Sequence, residues 1–428
     1  MIIENKEIME ILCSTTEIHG KYFHPRLEEI REGIINRASN YLSELKSPVS
    51  GKTYSINGEI ISFSYERNIS HEILESKFNS SIISCAYHKT VFFNSGISAI
   101  YNIFISIKRI MNKENLNILS TSSYFETGMI NNVLMANVVN INSKDVIEHD
   151  VIFIETIDYN CLHYNSLVEI FQNNHFTFSK DKVTFIVVDS TLFRDKKDID
   201  IIIEKFLSKN VIFIEVMSLI KFYQLGMELS NAGSITIYSH ESMSEVVNEL
   251  ASYLKKVRNI SGSNLSLYEI ALLSDNTMLD IDLVEMYRLR IYKNARRFYN
   301  FIDKTDSIFN VIYPENGRGE APFIILKNED YKMEDYLLYC SLLKKLIEVE
   351  NIGIFMGSSF GFNHTRFELI ITNEFEDEAF IKISIGAFDE NSQASFALLI
   401  NRIKSNEKIK KILTEHQDLE LLKVDNSD

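Results

Sequence analysis

Val211-Ile-Phe-Ile-Glu-Val-Met-Ser-Leu-Ile-Lys221 is an apolar run that breaks into a hydroxyl and then a lysine. Short runs this rich in β-branched residues match strands buried on both faces, as in parallel sheets. Two earlier stretches have the same make-up: Val151-Ile-Phe-Ile-Glu155, and Val183-Thr-Phe-Ile-Val-Val-Asp189. Helical patterns accompany them, at Ile97–Met111 and at Glu241–Val257. Strands alternating with helices predict an α/β domain built on a mostly parallel sheet.

The bulk composition narrows the class. With 428 residues the chain is long enough for two domains with sizeable cores. Its hydrophobic fraction of 45% marks it as globular rather than disordered. A net charge of -15 disfavours nonspecific nucleic-acid binding and favours solubility. Cys13, Cys85, Cys161 and Cys340 lie far apart without a CxxC pair, which fits reduced thiols in a cytoplasmic protein and predicts no metal site. The first residues, Met-Ile-Ile-Glu-Asn-Lys-Glu, lack the basic-then-apolar order of a signal peptide. The apolar runs are too short to span a bilayer, so no membrane association is expected.

Residues 1–58 read as an N-terminal arm, helical over 25–46. Residues 59–258 read as the large α/β domain, starting with a helix at 71–87 and a short strand at Val91–Asn94. Residues 259–413 read as a smaller α+β domain. It opens on a turn into a helix and continues with a long charged helix near 278–304. Strands follow at 308–313, 322–327, 366–372 and 380–385. Residues 414–428 form a polar tail.

Several short motifs carry chemistry, each with a plainer reading beside it. Ser95-Gly96-Ile97 stands between a strand and a helix, where a glycine admits close backbone approach and free amides face an anion. An ordinary strand-to-helix turn would look the same. Tyr124, in Ser122-Ser-Tyr-Phe-Glu-Thr-Gly128, is an aromatic suited to stacking or to a partly buried core. Glu155 begins Glu-Thr-Ile-Asp-Tyr-Asn160 and reads best as a structural anchor at a strand end. Asp189, in Asp-Ser-Thr191, is either a site carboxylate or a helix cap. Ser218-Leu-Ile-Lys221 leads into Gly226-Met-Glu-Leu-Ser-Asn-Ala-Gly233. Tyr65-Glu-Arg67 precedes a helix that carries Glu72 and Glu75.

Taken in order, these motifs resemble the Cys/Met-metabolism family of pyridoxal 5'-phosphate (PLP) enzymes of fold type I, over about residues 60 to 405. Cystathionine γ-synthase, cystathionine β-lyase and methionine γ-lyase belong to it. The resemblance implies an aspartate aminotransferase-like large domain with a smaller C-terminal α+β domain. It implies Lys221 as the Schiff-base lysine, Asp189 against the pyridine nitrogen, and Tyr124 stacked on the ring and moving protons. Ser95, Gly96, Ile97, Thr191 and Ser218 would hold the cofactor around its phosphate and ring. Asn160 would bond its phenolic oxygen, with Asp158 the weaker match. Tyr65 and Arg67 would reach the phosphate of a neighbouring subunit, which makes the active site shared within a homodimer or homotetramer.

The pattern also departs from the family. Phe125 and Glu126 stand where the family has glycines, and Ile220 replaces a Ser or Thr. The family's closing Arg-Leu-Ser-Val-Gly-Leu-Glu becomes Lys382-Ile-Ser-Ile-Gly386-Ala-Phe-Asp389, so the substrate-carboxylate arginine becomes a lysine. Residues 357–366 do not resemble the family. There Arg366 is either a relocated carboxylate clamp or a structural ion-pair partner, beside Asn363 and a structural His364. Arg366, Lys382 and Tyr65 are the candidate contacts to an amino-acid substrate.

The implied reaction is β- or γ-elimination, or γ-replacement, through an external aldimine and quinonoid, on a specialised biosynthetic substrate. One alternative is carbon–carbon bond formation on a vinylglycine-type ketimine. Another is a non-catalytic homologue that keeps the fold as a binding protein.

Overall fold

The computed structural model describes residues 2–14, 24–42, 45–49, 51–78, 87–122, 124–141, 149–157, 167–173, 178, 182–192, 201, 204–205, 210–314, 321–358, 361–373, 378–416 and 418–422. The chain divides into two compact units. One spans Ile30–Val284; the other joins Ile2–Glu29 to Glu285–Asp428.

The helices in chain order are α1 (Ile2–Cys13), α2 (Pro25–Ala38), α3 (Glu72–Phe78), α4 (Gly96–Ile110), α5 (Phe125–Val133) and α6 (Leu167–Asn173), then α7 (Ser244–Ser261), α8 (Leu267–Leu273), α9 (Ile281–Phe301), α10 (Met333–Val349), α11 (Glu390–Arg402) and α12 (Asn406–Glu415). A hairpin of β1 (Tyr54–Ile56) and β2 (Glu59–Ile61) precedes the main sheet of the first unit. That sheet holds β3 (Tyr87–Phe93), β4 (Asn117–Ser120), β5 (Asn137–Asn140), β6 (Val151–Glu155), β7 (Thr184–Asp189), β8 (Val211–Ser218) and β9 (Gly233–Ser239).

The strand order is β3-β9-β8-β7-β6-β4-β5, and β9 alone runs against the others. The continuous apolar runs of β6, β7 and β8 are explained by cover on both faces. On one face Phe153, Val187, Ile212, Ile214 and Val216 pack against Ile103, Phe104 and Ile107 of α4 and Val247, Leu250 and Leu254 of α7. On the other, Ile152, Ile154, Ile186, Val188 and Phe213 meet Leu167 and Phe171 of α6. Each fully buried side chain of this kind contributes roughly 1.5–3 kcal/mol.

Local signals set the helix ends. Ser95 caps α4 through a reciprocal pair with Ser98, and Ser266 caps α8 through a reciprocal pair with Glu269. Gly262, left-handed at φ 71, ends α7. The helix expected over 71–87 stops at Phe78 in the described residues, and Tyr87 already belongs to β3. Aromatic and β-branched residues from Tyr87 to Phe93 favour the strand there. A buried ionic knot pins α3 to this strand. Arg258 of α7 donates to Glu75 at 3.0 Å, to the Phe92 carbonyl at 2.9 Å, and lies 2.8 Å from His71 Nδ1. Burial, with Arg258 alongside, holds the His71 imidazole well below its usual value, so it is neutral.

The second unit carries a five-stranded sheet: β10 (Asn310–Ile312), β11 (Phe323–Lys327), β14 (Glu378–Ser384), β13 (Arg366–Asn373) and β12 (Phe355–Met356), in that spatial order. Arg290 of α9 organises its surroundings. It donates to the carbonyls of Ala387, Leu12 and Ser14, pairs with Glu390 at 2.9 Å, and lies over the Phe388 ring. A cation suits the carbonyl end of α1.

Asp389, fully buried at the start of α11, accepts from the Thr365 amide at 2.7 Å and from Gln393 Nε2 at 2.6 Å. Burial outweighs these bonds and pushes its carboxyl up to about 6. A raised folded value means the folded chain holds the proton longer than the unfolded one. The associated stability, roughly 3 kcal/mol at about 1.36 kcal/mol per pH unit, is present in full below about pH 4 and lost as pH rises through about 6. Chemical denaturation of wild type and Asp389→Asn from pH 4 to 7 should show the wild type losing stability relative to the variant. Parallel pH curves would refute the assignment.

Candidate active site

Because β3, β4, β6, β7 and β8 run parallel, their C-terminal ends share one edge of the sheet. Open α/β sheets bind ligands at such an edge. The antiparallel β9 delivers its first residue, Gly233, to the same edge. Ser95, Ser122, Glu155, Asp189 and Ser218 stand at or just beyond these strand ends.

The backbone approach at this edge is unusually close. Gly233 pairs with Ser218 of β8 and with Phe93 of β3. A Cβ on Gly233 would lie 2.5 Å from the Ser95 carbonyl carbon and 2.6 Å from the Gly96 nitrogen. A Cβ on Gly96 would lie 2.7 Å from Ser218 Cβ. The first turn of α4 therefore rests directly on the end of β8. The Ser95 hydroxyl is occupied at the cap, accepting from the Ser98 amide at 3.1 Å. The amides of Gly96 and Ile97 have no acceptor within the helix, as at any helix start, and Gly96 sits beside Ser218. The Ser218 amide in turn donates to Thr191 Oγ1 at 2.8 Å, which ties this corner to the next strand.

Asp189 ends β7 opposite Glu155 of β6 and Val216 of β8. Its Oδ1 accepts from the Thr191 amide at 2.9 Å. Burial pushes the carboxyl above the usual carboxylate range, while Thr191 and the positive charge of Lys221 pull it partly back. A carboxylate left short of compensation in this way is suited to a cationic ring nitrogen.

Lys221 lies in the connection from β8 to β9, and the segment behind it is rigidly held. Leu225 and Glu228 adopt left-handed backbone at φ 53 and 47, unusual for such residues. The buried Gln224 accepts from the amides of Leu229 at 2.6 Å and Ser230 at 2.9 Å and donates to the Ser230 carbonyl. Arg31 of α2 donates to the Met227 carbonyl at 2.8 Å. No sequence motif marks Gln224. A glutamine among Phe222, Tyr223 and Leu225 was the available signal, since a buried amide demands partners.

Tyr124 precedes α5, and its hydroxyl donates to Glu126 Oε2 at 2.7 Å. The stretch before it is anchored by Glu155, whose carboxylate accepts from Ser122 Oγ and, at 3.3 Å, from Thr127 Oγ1. The Glu155 amide is bonded to Thr121 Oγ1 at 3.0 Å. This agrees with reading Glu155 as an anchor. Tyr65 and Arg67 are exposed, with the guanidinium 5.0 Å from the Tyr65 ring centre. Asn160 and Asp158 lie outside the described residues.

Within the second unit, Lys382 pairs with its cross-strand neighbour Glu368 at 2.5 Å. Arg366 donates to the Ser358 carbonyl at 3.0 Å, and its Nε is buried without a hydrogen-bond partner. His364 and Asn363 are buried beside it. Among the described residues no cluster of His, Cys, Asp or Glu is arranged for a metal ion, and no helix is long and apolar enough to cross a membrane.

No family model matches the chain, and no curated protein matches it. Solved structures do. A methionine γ-lyase, CalE6 from Micromonospora echinospora, superposes with TM-score 0.56 at 14% identity, covering 87% of this chain and 98% of that one. Cystathionine γ-synthase from Xanthomonas oryzae pv. oryzae, in complex with cystathionine, gives 0.55 at 13% identity over 89% and 98%. Histidinol-phosphate aminotransferase from Clostridium acetobutylicum gives 0.54 at 17% identity over 88% and 96%. The fold of the chain is that of PLP fold type I.

The glycine contacts can be tested directly. The atoms nearest a Cβ on Gly233 are backbone and cannot swing aside, so Gly233→Ala should cost about 3 kcal/mol or more in denaturant unfolding. An alanine variant with wild-type stability would show that the two turns do not touch.

Proposed function

We propose that the chain is a PLP-dependent enzyme acting on an amino acid, by β- or γ-elimination or γ-replacement. The observation that carries this reading is the convergence on one sheet edge of the Gly96–Ser218–Gly233 corner and a half-buried Asp189 under the charge of Lys221. A binding scaffold has no need of a carboxylate held against burial beside a lysine.

The amides of Gly96 and Ile97, with Ser218, would hold the phosphate; Asp189 would hold the ring nitrogen; and Lys221 would hold the aldehyde carbon through its amine. When bound, PLP supplies an electron sink for the electrons freed at the substrate Cα. Lys221 Nζ would take the substrate Cα proton. The charge of Asp189 would favour a protonated ring nitrogen. The rigid segment at Gln224–Ser230 limits the travel of Lys221, so the amine stays oriented for the transfer.

Of the two cations of the second unit, Arg366 is the better carboxylate ligand, because the Lys382 ammonium is already matched by Glu368. Tyr65 and Arg67, both exposed, support a homo-oligomer in which they serve a neighbouring subunit.

Borohydride reduction of the purified, PLP-supplemented protein should leave a pyridoxyl group on the peptide carrying Lys221, and Lys221→Ala should lose it. Exchange of the Cα proton into deuterated water, followed over a panel of amino acids, should fall at least about 100-fold in the same variant. A protein that stays colourless with added PLP would overturn the reading.

A further inference from the structure

Glu126 has no role in holding the cofactor or the substrate. It lies in the first turn of α5, where a carboxylate is favoured by the helix dipole, and it takes the Tyr124 hydroxyl proton at 2.7 Å. Tyr124 is itself fixed. Its amide faces Ser122 Oγ at 3.4 Å, its carbonyl accepts from the Gly128 amide at 3.2 Å, and Ser122 is held by Glu155. The contact between phenol and carboxylate thus joins two groups on an anchored turn.

We infer that Glu126 is a positioning residue that keeps the Tyr124 phenol protonated and directs its O–H at the carboxylate, so that the phenol oxygen meets a substrate as a proton acceptor. The inference rests on the PLP reading for its catalytic meaning. Its physics does not. A phenolate 2.7 Å from a carboxylate would set two negative charges side by side, which disfavours ionisation of the phenol. The O–H donated to Glu126 cannot at the same time be offered elsewhere. When a proton arrives at Tyr124 Oη, a new O–H bond forms there as the old one breaks, and the displaced proton passes to Glu126 Oε2. The carboxylate ends neutral and the phenol unchanged. Proton donation to a departing group then falls to Lys221, so the two duties are divided between two residues.

Other ionisable groups among the described residues of this edge include Glu155, held by Ser122 and Thr127, and Asp189 with Lys221. All of them remain in the variants below.

The test uses the full-length protein without added PLP, carrying 3-fluorotyrosine at position 124 alone. Its phenol titration is followed by fluorine NMR. In the otherwise wild-type chain the midpoint should lie above that of the same label in an unstructured peptide. In Glu126→Gln, which keeps the shape and removes the charge, it should fall by about one pH unit or more. In Glu126→Ala it should fall as well, without the hydrogen bond. A wild-type midpoint at or below the peptide value overturns the inference even if a variant fails to fold, and so does an equal midpoint in wild type and Glu126→Gln. Because the phenol titration does not read the cofactor, the outcome is separate from that of the borohydride experiment.

Discussion

The structure of the first unit turns on backbone touching backbone. At Gly96, Ser218 and Gly233 the start of a helix, the end of one strand and the start of the next come together with no room for a side chain on either glycine. Close packing makes such a contact intolerant of even one extra carbon. The register follows from it. Gly233 faces Ser218 on one side and Phe93 on the other, so β3, β9 and β8 are locked together at that point. The two buried faces beneath it then fix which residues of β6, β7 and β8 point up or down.

The charges of the site are arranged with equal economy. Among the described residues, Glu155, Asp189 and Glu126 stand at the parallel strand ends or past them, and each meets a different environment. Glu155 is spent on hydroxyls, Asp189 is desolvated under the influence of a lysine, and Glu126 accepts a phenol proton. Similar side chains are thereby held in different ways by their surroundings.

Much of this was legible in the sequence. The strands over 151–155, 184–189 and 211–216 could be read because cover on both faces demands unbroken apolar runs. The Ser95-Gly96 turn could be read because capping and close approach each require a particular residue type. The edge strand β5, Asn137-Val-Val-Asn140, was missed: it is mostly exposed, so no apolar pattern marks it. The role of Gln224 was also hidden, because its partners are backbone groups, and a backbone group leaves no trace in the sequence. The Lys382–Glu368 pair depends on register between two strands, which local patterns do not specify.

The reversed direction of β9 has a further consequence for how the chain assembles. A parallel strand after β8 would have to start from the opposite edge, whereas the antiparallel β9 starts at the edge where β8 ends, and the link over residues 219–232 begins and finishes there. The lysine-bearing link therefore closes a loop between near neighbours in the chain, with a small entropy loss. The pairing of β3 with β9 joins residues far apart in sequence and carries a larger one. The corner that receives the first turn of α4 is finished only by that distant pairing. Any anion that binds there draws the whole sheet toward its native pairing, since it favours only the state in which both ends of the chain's long loop have met.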